Sequence, residues 1–297
     1  MGVGLAFIYE ANDPMKKQLC LLAVAGTLMS MHANAQDAFA FFKGEAFPPA
    51  RSTPAAWLHE LHKADSLLNS NIAVAEFLPN TKLAWHNHPG GQMLLITDGV
   101  GYYQEKGKPR QIVRLGDVVR CLPGVEHWHG ASVESGVTYV AISPAQKGGT
   151  VWAQAVTDEE YASPATDRRT SPSIKKTGAA TLIELLKTDS IFPFNVASAT
   201  FAPGKKLDWH KDPAGQILIV TEGVGYYQER GKLKQVIRKG DVIKSAPGVE
   251  HWHGASSEIG VTHIAVTPVG ESGTVWLQKV ADAEYSAAPA PGSSHVE

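Results

Sequence analysis

"GDVVRCLPGVEHWHGAS" runs from Gly116 to Ser132, and "GDVIKSAPGVEHWHGAS" runs from Gly240 to Ser256, 124 residues further on. The same offset holds without a gap on either side. "TDGVGYYQEKGK" at Thr97 meets "TEGVGYYQERGK" at Thr221, "KADS" at Lys63 meets "KTDS" at Lys187, and "GTVW" at Gly149 meets "GTVW" at Gly273. A duplicated unit of more than a hundred residues is a domain, because solenoid repeats have periods of about 20–50 residues. A length of 297 residues carries the same expectation of two domains.

Inside each unit, short stretches such as "QMLLIT", "QILIVT", "VTYVAIS" and "VTHIAVT" are rich in β-branched residues and bounded by Gly and Pro, which reads as strands. "EKGKPRQ" and "ERGKLKQ" read as hairpin turns. Many short, closely spaced strands favour closure into a barrel, which removes exposed edges. The fold class expected is therefore all-β, two tandem barrels. Only "TPAAWLHELHK" (Thr53–Lys63) and "GAATLIELLKT" (Gly178–Thr188) read as helices, one leading each unit.

Residues 15–35 place Lys16 and Lys17 before a short apolar run and an Ala33-Asn34-Ala35 cleavage pattern, the signature of a secretory signal. Residues 1–35 are thus read as an upstream extension and signal, with cleavage after Ala35 and an exported, periplasmic or secreted product. The first barrel domain is assigned to 36–162, a polar, Pro-containing linker to 163–178, the second domain to 179–285 and a disordered tail to 286–297. Cys20 lies in the signal, so only Cys121 remains and no internal disulfide can form; it is expected to be an inert buried thiol. A net charge of −2 argues against nucleic acid or, after cleavage, a membrane as partner, and leaves a small-molecule substrate.

Eight of the twelve histidines fall in the repeated motifs: His86, His88, His127, His129, His210, His251, His253 and His263. His86 and His88 are two apart on a predicted strand, so both rings emerge on one face and can clamp one ion. Gln92 follows a Pro-Gly-Gly turn, and a barrel can bring His127 opposite. Imidazole and amide-oxygen donors suit manganese, iron, nickel or zinc. Trp85, Trp128, Trp209 and Trp252 are expected to point outward and pack rather than stack on a ligand.

"NTKLAWHNHPGGQMLLITDG" (Asn80–Gly99), "GDVVRCLPGVEHWHGA" (Gly116–Ala131) and their second copies resemble the two motifs of the cupin superfamily, over most of the chain outside the signal. The resemblance implies a bicupin of two double-stranded β-helix, or jelly-roll, barrels. Asn80 stands where a Gly is usual, whereas Gly204 keeps it; Gln92 and Gln216 stand where many cupins carry Glu. The Gln variant with "HWHGA" and "THIAV" is more specifically similar to small bacterial manganese cupins, some with hydroxynitrile lyase activity, and to cupin modules of carboxymuconolactone decarboxylase-like proteins.

By position, the resemblance implies metal ligands His86, His88, Gln92 and His127 in the first unit and His210, Asp212, Gln216 and His251 in the second, with Mn(II) the favoured ion. It also implies that His263 is an acid/base residue facing the metal; its copy in the first unit is Tyr139. His129 and His253 lie two residues past their ligands and can tune water or substrate, or simply pack. Asp212 adds a negative charge to the second site, weakening Lewis acidity there. The leading reading is a metal-dependent lyase combining Lewis-acid and acid/base chemistry. Three alternatives stand beside it: an iron oxygenase built on the His210–Asp212–His251 triad, loss of metal from the second copy, and a non-catalytic periplasmic binding or sensing module. Two fused barrels can also imitate a dimer, and a further homodimer is an open reading.

Overall fold

The computed structural model describes residues 44–53, 56–145, 148–168, 173–270 and 272–290. The expected signal, Cys20 and residues 291–297 of the expected tail lie outside the described residues. No helix among the described residues is long and apolar enough to cross a membrane.

The first half carries β1 (Glu45–Ala46), β2 (Ala56–His62), β3 (Ser70–Phe77), β4 (His86–Asn87), β5 (Gln92–Glu105) and β6 (Arg110–Arg114). It continues with β7 (Val118–Cys121), β8 (His127–Ala131), β9 (Val137–Pro144), β10 (Val151–Trp152), α1 (Asp158–Ala162) and β11 (Ala165–Asp167). The second half repeats this order as β12 (Ser173–Lys176), β13 (Thr181–Leu186), β14 (Phe194–Phe201), β15 (His210–Lys211), β16 (Gln216–Glu229) and β17 (Gln235–Arg238). Then come β18 (Val242–Ser245), β19 (His251–Ala255), β20 (Val261–Pro268), β21 (Val275–Trp276) and α2 (Asp282–Ser286).

Strand order is β1-β2-β3-β9-β5-β8-β4-β10 in the first sheet and β12-β13-β14-β20-β16-β19-β15-β21 in the second. The long strand β5 curls the first sheet. Its first half pairs with β7 and β9 and its second half with β6 and β8, with a register shift between Ile96 and Asp98. The unpaired residue at the shift bends the strand and increases its twist, so one sheet folds over onto itself. Gly99 follows at φ 72°, and a Cβ there would lie 2.0 Å from the Gly136 carbonyl oxygen. Strand β16 repeats this shift between Val220 and Glu222. The Asn80 variation is conformational: Asn80 has φ 64° and Gly204 φ 75°, and Asn is among the few side-chain residues that tolerate the left-handed region.

The two leading segments are corrected from helix to strand. Ala56–His62 pairs with β3 and Thr181–Leu186 with β14. Ala, Leu, Glu and Lys favour helix locally, but an isolated helix this short is marginal, and a neighbouring strand supplies hydrogen bonds and burial for the same residues. The helices that do form follow each barrel. Thr157 caps α1 through a reciprocal box with Glu160, and the expected linker carries β11, parallel to β6, and β12, antiparallel to β13.

Each barrel has its own interior core, around Phe77, Leu94, Val119 and Tyr139 in the first and Phe201, Leu218, Val220 and Ile237 in the second. A third core is shared between them. It joins Ile72, Met93, Leu95, Val140 and Ile142 to Phe192, Phe194, Ile217, Ile219 and Val266. The tryptophans pack outside, as expected: Trp85 and Trp128 with Tyr161, and Trp209 and Trp252 beside Tyr285. Tyr161 and Tyr285 donate hydrogen bonds to the carbonyls of Ala131 and Ala255, tying each short helix to its barrel.

Candidate metal centre

Strand pairing alone assembles the centre. His86 on β4 lies opposite His127 on β8, and His210 on β15 opposite His251 on β19. Gln92 and Gln216 open β5 and β16; His88 and Asp212 follow β4 and β15 directly. All eight residues are buried. Ring centroids are 4.5 Å apart for His86 and His127, 5.2 Å for His86 and His88, and 5.6 Å for His88 and His127.

Local contacts fix which atom of each group faces inward. A carbonyl only accepts, so His86 Nδ1 donates to Ala84 (2.8 Å) and His127 Nδ1 to Val125 (2.8 Å), leaving Nε2 as the lone-pair nitrogen. His210 and His251 donate in the same way to Asp208 and Val249. Gln92 Nε2 donates to Ser143 Oγ and Gln216 Nε2 to Thr267 Oγ1, which turns both amide oxygens into the site. Thr150 Oγ1 lies 3.4 Å from His88 Nδ1, and Thr274 Oγ1 donates to Asp212 Oδ1 at 2.6 Å.

The inward atoms His88 Nε2, Gln92 Oε1 and His127 Nε2 have no hydrogen-bond partner among the described residues. Asp212 Oδ2, Gln216 Oε1 and His251 Nε2 form the corresponding set. Orphaning several acceptors on one buried spot costs a few kcal/mol per group, roughly 1–3 each, unless something electrophilic sits among them. Nitrogen and oxygen donors of this kind fit a divalent transition ion.

His129 and His253 come closer than expected. One ring nitrogen each of His86, His127 and His129 lies within 4.8 Å of the others, as it does for His210, His251 and His253. Behind them stand the two residues assigned to proton transfer: Tyr139 Oη lies 2.5 Å from His129 Nδ1, and His263 Nε2 lies 3.1 Å from His253 Nδ1. Tyr139 and His263 are thus each joined to an imidazole of the cluster, and Tyr139 also lines the cavity on which the first centre opens. Burial pushes the Tyr139 hydroxyl far above its ordinary range, so it stays protonated.

Burial keeps the imidazoles neutral. It lowers His88 to about 3 and His127, His210 and His263 to about 4, with neighbouring imidazoles adding to the effect at His88, His210 and His263. In an unfolded chain these groups titrate near 6.5, so between about 6.5 and 4 the unfolded state takes up protons that the folded state refuses. Stability must then fall as pH drops through that window, by up to about 1.4 kcal/mol per pH unit for each group. Chelator-treated protein is expected to melt several degrees lower at pH 5 than at pH 7; equal melting temperatures would contradict neutral burial.

The two centres differ in what surrounds them. The first opens on a cavity of about 1100 Å³ that reaches His86, His88, Gln92, His129 and Tyr139. In the second barrel a cleft of about 360 Å³ includes Asp212, Thr267 and Thr274. Cys121 is fully buried beside Tyr103, its thiol pushed up to about 12 by burial, so it is inert as expected. The supporting Thr150, Thr274, Ser143 and Thr267, and Trp152 packed 4.9 Å from His86, were not singled out from the sequence. The repeated "GTVW" held the signal for three of them.

Both barrels match a family model described as a cupin domain, over residues 73–143 and 197–266. The (R)-mandelonitrile lyase of Granulicella tundricola is 42% identical over 90 residues, covering 30% of this chain and 69% of that protein. A variant of the oxalate decarboxylase of Bacillus subtilis superposes with a TM-score of 0.57 at 11% identity, covering 79% of this chain and 81% of its own. A variant of the salicylate 1,2-dioxygenase of Pseudoaminobacter salicylatoxidans gives 0.55 at 12% identity, covering 70% and 73%. At those identities the two structures speak to fold alone.

Proposed function

The chain belongs to the cupin family, one such domain in each half, and from that premise we propose a metal-dependent enzyme that cleaves a carbon–carbon bond beside a hydroxyl, as a hydroxynitrile lyase does. The observation that carries the metal is the set of inward, unpartnered atoms His88 Nε2, Gln92 Oε1 and His127 Nε2, completed by His86. In the second barrel the holders are His210, Asp212, Gln216 and His251. Mn(II) is the favoured ion, and its identity rests on motif similarity alone.

A divalent cation held there supplies a Lewis acid for the substrate oxygen. The chain's residues do the rest. His129, neutral and with its Nδ1–H donated to Tyr139 Oη, accepts the hydroxyl proton on Nε2; as the carbonyl forms, the carbon–carbon bond electrons leave with cyanide, which takes the proton back from His129. Ala75, Leu83, Ala141 and Trp152, which share the cavity wall with the histidines, strengthen the polar contacts they shield. The large cavity favours the first barrel as the catalytic one, with His253 and His263 in the parallel arrangement in the second. Export is proposed from residues 15–35.

Metal analysis of freshly purified protein, with turnover of mandelonitrile to benzaldehyde, tests this reading. His129→Ala is expected to keep the ion and lose roughly a hundredfold in turnover, while His127→Ala loses the ion from the first site. Turnover by fully chelated protein, or undiminished turnover by His129→Ala, would overturn it. One observation favours an oxygenase instead, the carboxylate of Asp212 beside His210 and His251; iron-dependent oxygen uptake abolished by Asp212→Ala would establish that reading.

A further inference from the structure

The register of the outermost strands reveals an asymmetry between otherwise parallel halves. Glu45 pairs with Leu58, and Lys175 pairs with Leu182. The partners Leu58 and Leu182 are repeat copies 124 apart, yet Glu45 and Lys175, in the same place on each barrel, are 130 apart. The chain from Glu45 to its partner Leu58 is therefore six residues longer than that from Lys175 to Leu182.

The longer connection is sewn to the segment leading into His86. Thr53 N–H donates to the Lys82 carbonyl at 3.0 Å, Ala84 N–H donates to the Arg51 carbonyl at 2.9 Å, and Ser52 bridges to Leu83. It sets Phe47 edge-on to Trp152 at 6.5 Å and the Arg51 guanidinium 5.1 Å from the Trp152 ring centroid. Phe47, Arg51 and Trp152 all line the large cavity. The second barrel shows what the fold needs without this loop. Trp276 keeps the same packing on His210, 5.1 Å between centroids, but is 57% exposed. A six-residue addition that the barrel can do without, confined to one mouth and carrying a cation, serves recognition.

We propose that the loop from Phe47 to Thr53 is the substrate-recognition element of the first barrel, and that Arg51 takes the carboxylate of an aryl substrate whose hydroxyl lies at the histidine cluster. This rests on the reading that the first cavity is the catalytic one. Packing against the indole holds the guanidinium in place before binding, which suits a charged, hydrogen-bonded contact with a planar carboxylate. Trp152 touches both Arg51, 5.1 Å from its ring centroid, and His86, 4.9 Å between centroids, which sets the carboxylate about one ring away from the reacting hydroxyl. Phe47 and Tyr139 supply the apolar flanks. Glu45 and Glu60 line the same cavity from β1 and β2 and repel the carboxylate from the outer wall, orienting it toward Arg51.

Calorimetric titration with 4-(hydroxymethyl)benzoate and with benzyl alcohol, on manganese-loaded and on chelated protein, tests the assignment. Wild type is expected to bind the carboxylate probe roughly tenfold or more tightly than the alcohol. Arg51→Gln should erase that difference, and Phe47→Ala should weaken both probes alike. No preference in wild type, or a preference that survives Arg51→Gln, overturns the proposal. The chelated arm separates the two readings: a carboxylate preference lost with Arg51→Gln in metal-free protein upholds Arg51 even if metal-dependent chemistry fails.

Discussion

Graded chelation of metal-loaded protein will empty the first barrel before the second, with midpoints on the order of a hundredfold apart in free-ion concentration. The two donor sets match except at one position, where neutral His88 is replaced by Asp212. Added ligand charge shifts the affinity of such sites by orders of magnitude. Asp212 is only 1% exposed, with Oδ1 held by Thr274 and Oδ2 turned toward His251 at 3.7 Å. A buried carboxylate in this position is costly without a cation and strongly stabilising with one. The charge also produces a crossover. Asp212→Asn should lower the melting temperature of metal-loaded protein but raise that of chelated protein, because it removes a buried charge worth about 3 kcal/mol, or several degrees. His88→Asp should bring the two release midpoints together. A single release step in wild type, measured as bound metal per chain against chelator concentration, would show that the charge is not what separates the sites.

That difference was legible in the sequence because it falls inside the repeat, where His88 and Asp212 align without a gap. The strands of the barrel were legible for a related reason: their apolar runs are buried on both faces, by the barrel interior on one and by the shared core on the other. Ala56–His62 and Thr181–Leu186 were misread because their composition favours helix, while the hydrogen bonds that make them strands come from the flanking strands β1 and β3, and β12 and β14, which the composition of the segment itself does not show. Arg51 was missed for a subtler reason. The gapless offset begins near Lys63, just downstream of the six extra residues, so the halves looked equivalent up to the point where they diverge. His129 lies beside His86 and His127, but its bond to Tyr139 depends on β8 and β9 being brought together through β5, which spacing does not reveal.

Neither half should exist alone as a monomer. The shared core hides eight fully buried side chains of the second half, Leu186, Phe192, Phe194, Val196, Ile217, Ile219, Ile264 and Val266. Leaving these exposed would forfeit on the order of 10 kcal/mol, comparable to the whole stability of a domain. The contact is also reciprocal. Arg120 pairs with Asp189 while Asp65 lies 3.6 Å from Lys244, and these are the same two repeat positions exchanged between the halves. A patch that meets its own copy in this way is what a two-fold dimer uses. Residues 173–290 expressed alone are therefore expected to sediment as a homodimer that rebuilds the interface with Lys244 and Asp189 from each copy. Two Phe192–Phe194 pairs would then enter the interface, where the intact chain carries Leu68 and Ser70 at the matching positions of its first half, and this crowding should lower the melting temperature relative to the full chain. Ile217→Asp in the full chain should cost more than about 3 kcal/mol and melt both barrels in one transition. A folded, monodisperse monomer of 173–290, or two separate transitions in Ile217→Asp, would show that the barrels are joined by the chain and not by a common core.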